Sequence, residues 1–326
     1  MARPRVYVCR VLPDPAIEIL RAVAEVRVWE RDDVPPPREV LLREIAGCEG
    51  VLTLLTDRVD EEFLAHAPAL RVVANMAVGY DNIDVPAATR RRVVVTNTPE
   101  VLTETTADFA FALILAAARR VVEADAFTRA GRWKTWAPLL LAGQDVHHAT
   151  LGLIGLGRIG SAVARRARGF EMRVLYYDPI RRQDLEAQLS LEYRTLPEVL
   201  READIISVHV PLTADTRHLI GAEQFKMMKP TAVFVNAARG PIVDQRALTE
   251  ALRRRTIFAA GIDVFEQEPI SPDDPLLQLD NVVVAPHIAS ASVPTRTRMA
   301  TLAAENIAAV LQGRRPPTPV NPEVLA

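Results

Sequence analysis

The sequence predicts an α/β protein of two doubly wound parallel sheets. Three observations carry that expectation: β-branched runs alternate with helical patterns, a second such series restarts at Thr150, and 326 residues exceed one ordinary domain. "RVYVCRV" (5–11) precedes the helical "DPAIEILRAVA", and "VRVWE" (26–30) precedes "PPREVLLREIAG". "GVLTLLT" (50–56) precedes "DEEFLAHAP", and "LRVVANM" (70–76) precedes "VPAATRRR". Such alternation implies parallel strands with helices on both faces. After "VVVTNTP" (93–99), residues 101–130 read as one long helix, with Thr106 and Asp108 in its polar start and Gly131 as its stop. That helix would cross to a second lobe and the "NIAAVLQG" helix (306–313) would cross back. The expected domains are therefore 1–100 plus 289–326, and 101–288.

Composition narrows the function. A formal net charge of −2 offers no footprint for nucleic acid or an anionic membrane. Arg90-Arg91-Arg92 and Arg253-Arg254-Arg255 fall on expected helices and read as solvated faces. Only Cys9 and Cys48 are present, without zinc spacing, so no metal site or disulfide scaffold is expected and a reducing compartment is. The N-terminus lacks the apolar core of a signal peptide, and the most apolar run, Phe109–Ala118, is too short to span a bilayer. The expected location is cytoplasmic.

The second series opens on "TLGLIGLGRIGSAVARRARGFEMRVLYYD". Gly155, Gly157 and Gly160 join an apolar strand to a helix, and a further strand ends at Asp178. Glycines permit a tight turn and close backbone approach, a helix N-terminus receives pyrophosphate, and a carboxylate accepts ribose hydroxyls. The stretch thus reads as a dinucleotide site. Asp178 would repel a 2′-phosphate, which favours NAD, while Arg181 and Arg182 nearby leave NADP possible.

Three later strands end on ionisable residues: "AVFVNAA" leads to Arg239, "FAAGIDVF" to Glu266 and Glu268, and "NVVVAP" to His287. Ligands bind beyond the carboxyl ends of such strands. A guanidinium at a buried strand's end needs a carboxylate, from the protein or from a bound acid. Arginine grips a carboxylate with a rigid fork, histidine moves protons near neutral pH, and glutamate can hold the imidazole. His209 also ends a strand but has no downstream acid, and His147 and His148 are adjacent and would diverge.

With these residues in place, the chain resembles the D-isomer-specific 2-hydroxyacid dehydrogenases, most of all their glyoxylate/hydroxypyruvate reductase branch. The resemblance covers nearly the whole chain, through "NMAVGYDNIDVPAATRRRVVVTNTPEVLTETTADFAFALIL", "GLIGLGRIG", "VPLTADTRHLI", "VNAARGPIVDQRAL", "GIDVFEQEP", "PLLQLDNVVVAPHIASAS" and "AAENIAAVL". It implies Rossmann-like or flavodoxin-like domains, the first and last segments forming the substrate-binding domain and 101–288 the dinucleotide-binding domain. It implies that Arg239 binds substrate, that Glu268 pairs with His287, and that His287 is the acid/base. The amides of Val78 and Gly79 would hold the substrate carboxylate. Leu156, Gly157, Arg158 and Ile159 would line the pyrophosphate, Pro211 and Thr216 would belong to the cofactor site, and Thr106, Ala237 and Asp263 would lie near the nicotinamide. Ala289 stands where the usual motif has glycine.

The implied reaction is NAD(P)H-dependent reduction of glyoxylate or hydroxypyruvate to the 2-hydroxy acid. Related dehydrogenases of phosphoglycerate, formate, phosphite or D-lactate type, and dinucleotide-sensing scaffolds, share the framework. The resemblance also places "GRWKTWAPLLLAG" (131–143) at a two-fold interface, which predicts a homodimer with Trp136 near the partner's substrate site.

Overall fold

The computed structural model describes residues 3–326. The chain divides into two compact units, one of Met1–Leu102 with Ala291–Ala326 and one of Thr103–Ser290.

The first unit is a five-stranded sheet of β1 (Arg5–Val8), β2 (Glu25–Val28), β3 (Gly50–Thr53), β4 (Val72–Asn75) and β5 (Val94–Thr96). The order is β2-β1-β3-β4-β5 and every pairing is parallel. β3, β4 and β5 are buried throughout, the mark of a parallel sheet covered on both faces. Helices Asp14–Val23, Arg38–Ile45, Glu61–His66 and Val85–Arg90 make the connections. Asp60 and Asp84 start the last two by accepting from the amides of Phe63 and Ala87. The C-terminal helix Val293–Leu311 packs against Asp14–Val23 and β4.

The second unit is a seven-stranded parallel sheet. Its strands are β6 (Thr150–Ile154), β7 (Arg173–Tyr177), β8 (Leu191–Tyr193), β9 (Ile205–Val208), β10 (Val233–Asn236), β11 (Ala259–Ile262) and β12 (Val282–Val284). Their order, β12-β11-β10-β9-β6-β7-β8, reverses direction between β6 and β9. That reversal opens a crevice beyond the carboxyl ends of the strands. One core lies where Thr103–Ala118 and Arg158–Ala167 cover the sheet, and a second surrounds Phe225, Phe234 and Leu248.

The single helix expected over 101–130 is two helices, Thr103–Ala118 and Val121–Arg129. Arg120 turns left-handed at φ 55° and forks onto Glu123, at 2.9 and 2.8 Å. The returning chain closes the first helix: Gln144 donates its amide to Ala118 O at 2.9 Å. A Cβ on Gly143 would sit 2.2 Å from that oxygen, so glycine is required there. No local pattern in 101–130 reports a contact made by residue 144.

The arginine runs engage local acids, Arg90 and Arg91 with Glu61, Arg253 and Arg254 with Glu250, and Arg255 with Asp280. Residues 131–143 are irregular, with Trp133 60%, Trp136 77% and Leu139 84% exposed. Among the described residues, no helix is long and apolar enough to cross a membrane, and no group of three or more His, Cys, Asp or Glu is placed to hold a metal ion.

Candidate active site

The glycine turn joins β6 to the helix Arg158–Ala167, and its three glycines do different work. Gly155, at φ 99°, would drive a Cβ to 2.8 Å from the carbonyl carbon of His209 on the neighbouring strand end. At Gly160 a Cβ would fall 2.3 Å from Gly155 O, so the helix lies directly on the turn. At Gly157 a Cβ would meet no protein atom within 4 Å. The protein's own packing thus explains the first and third glycines, and the second leaves space for a group from outside. Gly157 is the N-cap of a helix without a side-chain cap, so Arg158 and Ile159 open a first turn suited to a phosphate. These residues fit a dinucleotide.

Asp178 follows β7 and accepts from the amides of Leu156 at 2.9 Å and Ile180 at 3.0 Å. The Leu156 amide is therefore spent on Asp178, while its side chain is buried in the core. Arg181 is forked onto Glu186 and Arg182 onto Asp184. Both arginines beside Asp178 thus already have carboxylates. The loop after β9 is closed by Thr216, whose hydroxyl donates to Pro211 O at 2.6 Å.

Arg239, Glu268 and His287 all belong to the second unit. His287 Nδ1 and Glu268 Oε2 are 2.7 Å apart, and Glu268 Oε1 accepts from the Phe265 amide at 3.0 Å. Burial raises the Glu268 carboxyl, but the hydrogen bond and charge of His287, the Phe265 amide and the Arg239 guanidinium outweigh it and leave Glu268 below the usual glutamate range. Glu266 is committed elsewhere, to His218 at 2.8 Å and to the Gln245 amide at 3.1 Å. His209 donates its amide to Ile154 O, and its Nε2 lies 2.9 Å from Ser207 Oγ. Burial pulls its pKa down to about 4, so it is neutral at neutral pH.

His287 is left-handed at φ 56°, an uncommon conformation for a side-chain-bearing residue. Asp263, fully buried after β11, imposes it. Its carbonyl accepts from His287 N, and its two carboxylate oxygens accept from the amides of Ile288 and Ala289, each at 2.8 Å. Burial pushes the Asp263 carboxyl up and the two amides oppose it, with a net raised value. Ala289 has no positive φ, so the position where the motif has glycine makes no demand that alanine fails.

Two supports of Arg239 escaped the sequence reading. Asn236, buried at the end of β10, accepts from Ala238 N at 3.0 Å and donates to Arg239 O at 2.9 Å. Arg239 Nη1 donates to Ala238 O at 2.8 Å. A Cβ on Gly240 would lie 1.8 Å from Phe265 O, so only glycine lets the Arg239 loop touch the loop that carries Glu268. A polar residue ending an apolar strand was the available signal for Asn236. Ala237 is half-buried beyond β10 and Thr106 is buried in Thr103–Ala118. Val78 and Gly79 follow β4 in the first unit.

The sequence model of the D-isomer specific 2-hydroxyacid dehydrogenase NAD binding domain matches residues 111–289. The glyoxylate reductase of Korarchaeum cryptofilum is 55% identical over 324 residues, which cover 99% of this chain and 97% of the relative. That of Aeropyrum pernix is 52% identical over 329 residues, covering 100% and 98%. Among solved structures, a protein from Thermus thermophilus superposes with a TM-score of 0.91 at 46% identity, covering 97% of this chain and 99% of its own. The NADPH-dependent glyoxylate/hydroxypyruvate reductase of Sinorhizobium meliloti, solved with NADP and malonate, gives 0.84 at 36% identity, covering 98% and 97%.

The three glycines should separate on substitution. Gly157→Ala should fold as the parent does yet bind NADH about tenfold more weakly, because a methyl there meets only what enters from outside. Gly160→Ala should lose about 1–3 kcal/mol of stability by overpacking. Urea midpoints and NADH fluorescence titration measure the two effects, and equal NADH affinity in Gly157→Ala would remove the turn from the cofactor site.

Proposed function

The chain belongs to the D-isomer-specific 2-hydroxyacid dehydrogenases and is an NAD(P)-dependent dehydrogenase, and from that premise we propose that it reduces glyoxylate, and hydroxypyruvate beside it, to the 2-hydroxy acids. The observation that carries this reading is the Glu268–His287 pair at 2.7 Å, with the charge of Arg239 acting on the same carboxylate. The first unit would bind substrate and the second the dinucleotide.

A reduced nicotinamide bound at the glycine turn would supply the hydride. His287 Nδ1 is engaged by Glu268, so Nε2 is the atom left to protonate the substrate's carbonyl oxygen. Glu268, held ionised, keeps the ring oriented through that bond. Arg239 would polarise the carbonyl and clamp the carboxylate, supplying orientation and charge stabilisation together. Val78 and Gly79 would take the carboxylate through their amides. Thr106, Ala237, Asp263, Pro211 and Thr216 would complete the cofactor site.

NADH is the proposed coenzyme, because Asp178 disfavours a 2′-phosphate and Arg181 and Arg182 are paired with acids of their own. The exposed Trp133, Trp136 and Leu139, with Val121 and Val122, support a homodimer through this face. Cys9 and Cys48 are both free and buried, which supports a cytoplasmic location.

Nicotinamide absorbance with NADH and NADPH against glyoxylate, hydroxypyruvate, pyruvate and phosphohydroxypyruvate tests the reading. Glyoxylate and hydroxypyruvate with NADH should lead, and a preference for NADPH by about tenfold would overturn the role of Asp178. Glu268→Gln keeps the shape but removes the negative charge that holds Nδ1, and should lower kcat for glyoxylate about tenfold or more while the NADH dissociation constant stays that of the parent. An unchanged kcat would separate Glu268 from catalysis. Light scattering at micromolar concentration should give twice the mass of one chain, and Trp136→Asp should reduce it to one.

A further inference from the structure

Three consecutive carbonyls in the loop after β4 are held from behind. Ala77 O accepts from the Thr98 amide at 2.8 Å, Val78 O from Asn97 Nδ2 at 2.8 Å, and Gly79 O from Asn75 Nδ2 at 3.0 Å. In a trans peptide the N–H points opposite to the C=O of the same plane. Fixing these three carbonyls therefore turns the amides of Val78, Gly79 and Tyr80 away from the groups that hold them. Among the described residues, none of the three amides donates to a protein acceptor.

The asparagine at the root of this arrangement cannot rotate freely. Asn75 is fully buried, its Oδ1 accepts from Thr53 Oγ at 3.1 Å, and its Nδ2 also reaches Asn82 Oδ1 at 3.1 Å. Asn82 in turn donates to Leu54 O at 3.0 Å and Asp57 O at 2.9 Å. One network thus ties the 77–80 backbone to the end of β3 and to the loop after β5. Buried amides satisfied on every side leave one orientation, so the loop is preorganised.

We propose that Asn75 and Asn97 are positioning residues for substrate recognition, and that they set Val78, Gly79 and Tyr80 as a row of three amides for the carboxylate of a 2-oxo acid. This rests on the function proposed above and extends it: the third amide, that of Tyr80, and the two asparagines are part of the recognition. A carboxylate is bound equally before and during hydride transfer, so loss of this alignment weakens KM more than kcat.

The test measures glyoxylate reduction and NADH binding in Asn97→Ala, Asn97→Asp and Asn75→Asp. Asn97→Ala should raise KM for glyoxylate about tenfold with kcat within about threefold, the loss expected of a misaligned hydrogen bond to a charged group. Its NADH dissociation constant should stay that of the parent. Asn97→Asp, which sets a carboxylate against the Val78 carbonyl, should raise KM further. Asn75→Asp should do the same, and if that buried substitution prevents folding the Asn97 pair decides. A merely structural role would lower the melting temperature while KM of the folded enzyme stayed put, and that result in both Asn97 variants overturns the inference. A parent enzyme that reduces no small 2-oxo acid would overturn the functional reading first, and the inference with it.

Discussion

The carboxylate of Asp263 is the constraint from which the candidate site follows. Buried just after β11, it would be costly without partners, and it finds them in the amides of Ile288 and Ala289. Those two bonds fix the backbone just past His287 and hold that residue in a left-handed conformation it would otherwise avoid. The imidazole is thereby carried to Glu268. A fully buried acid therefore aims the group proposed to move the proton.

The same device recurs at other strand ends. Asn75 at the end of β4, Asp178 just after β7 and Asn236 at the end of β10 each bond to backbone of the loops that carry candidate site residues. A parallel sheet ends its strands in backbone groups that the next strand cannot satisfy, and a short polar side chain there does so at little entropic cost. Loops held this way are surface segments with the order of the sheet beneath them. That order is what a reaction needs if groups are to meet a substrate without rearranging.

Glycine supplies the complementary device, close approach. Gly160 lets a helix rest on the turn before it, Gly240 lets the Arg239 loop touch Phe265 O, and Gly143 closes the helix that ends at Ala118. Gly157 differs, since nothing in the protein occupies the space a side chain would take. Three of these positions are demanded by the fold and the fourth is not, a distinction invisible in the letters.

Much of this was legible in the sequence because it rests on signals a few residues long. The β-branched and helical runs specify β1 to β7 and β9 to β12 in outline, the Gly155-Gly157-Gly160 turn lies between two readable strands, and Arg239, Glu268 and His287 each follow one. What the letters left open depends on contacts between segments. Whether His287 meets Glu266 or Glu268 is decided by Gln245 and His218 claiming the former. The break at Arg120 is decided by Gln144, and the role of Asp263 by amides 25 and 26 residues away. Even Asn75 and Gly79, only four residues apart, meet through a loop geometry that Thr53 and Asn82 impose. The sequence by itself determined the fold class, the glycine turn and the residue types of the site, because periodicity and backbone permissiveness are local properties. Tertiary structure decided which acid faces which base and which amides stay open, because a buried polar group takes whichever partner the packing brings within reach.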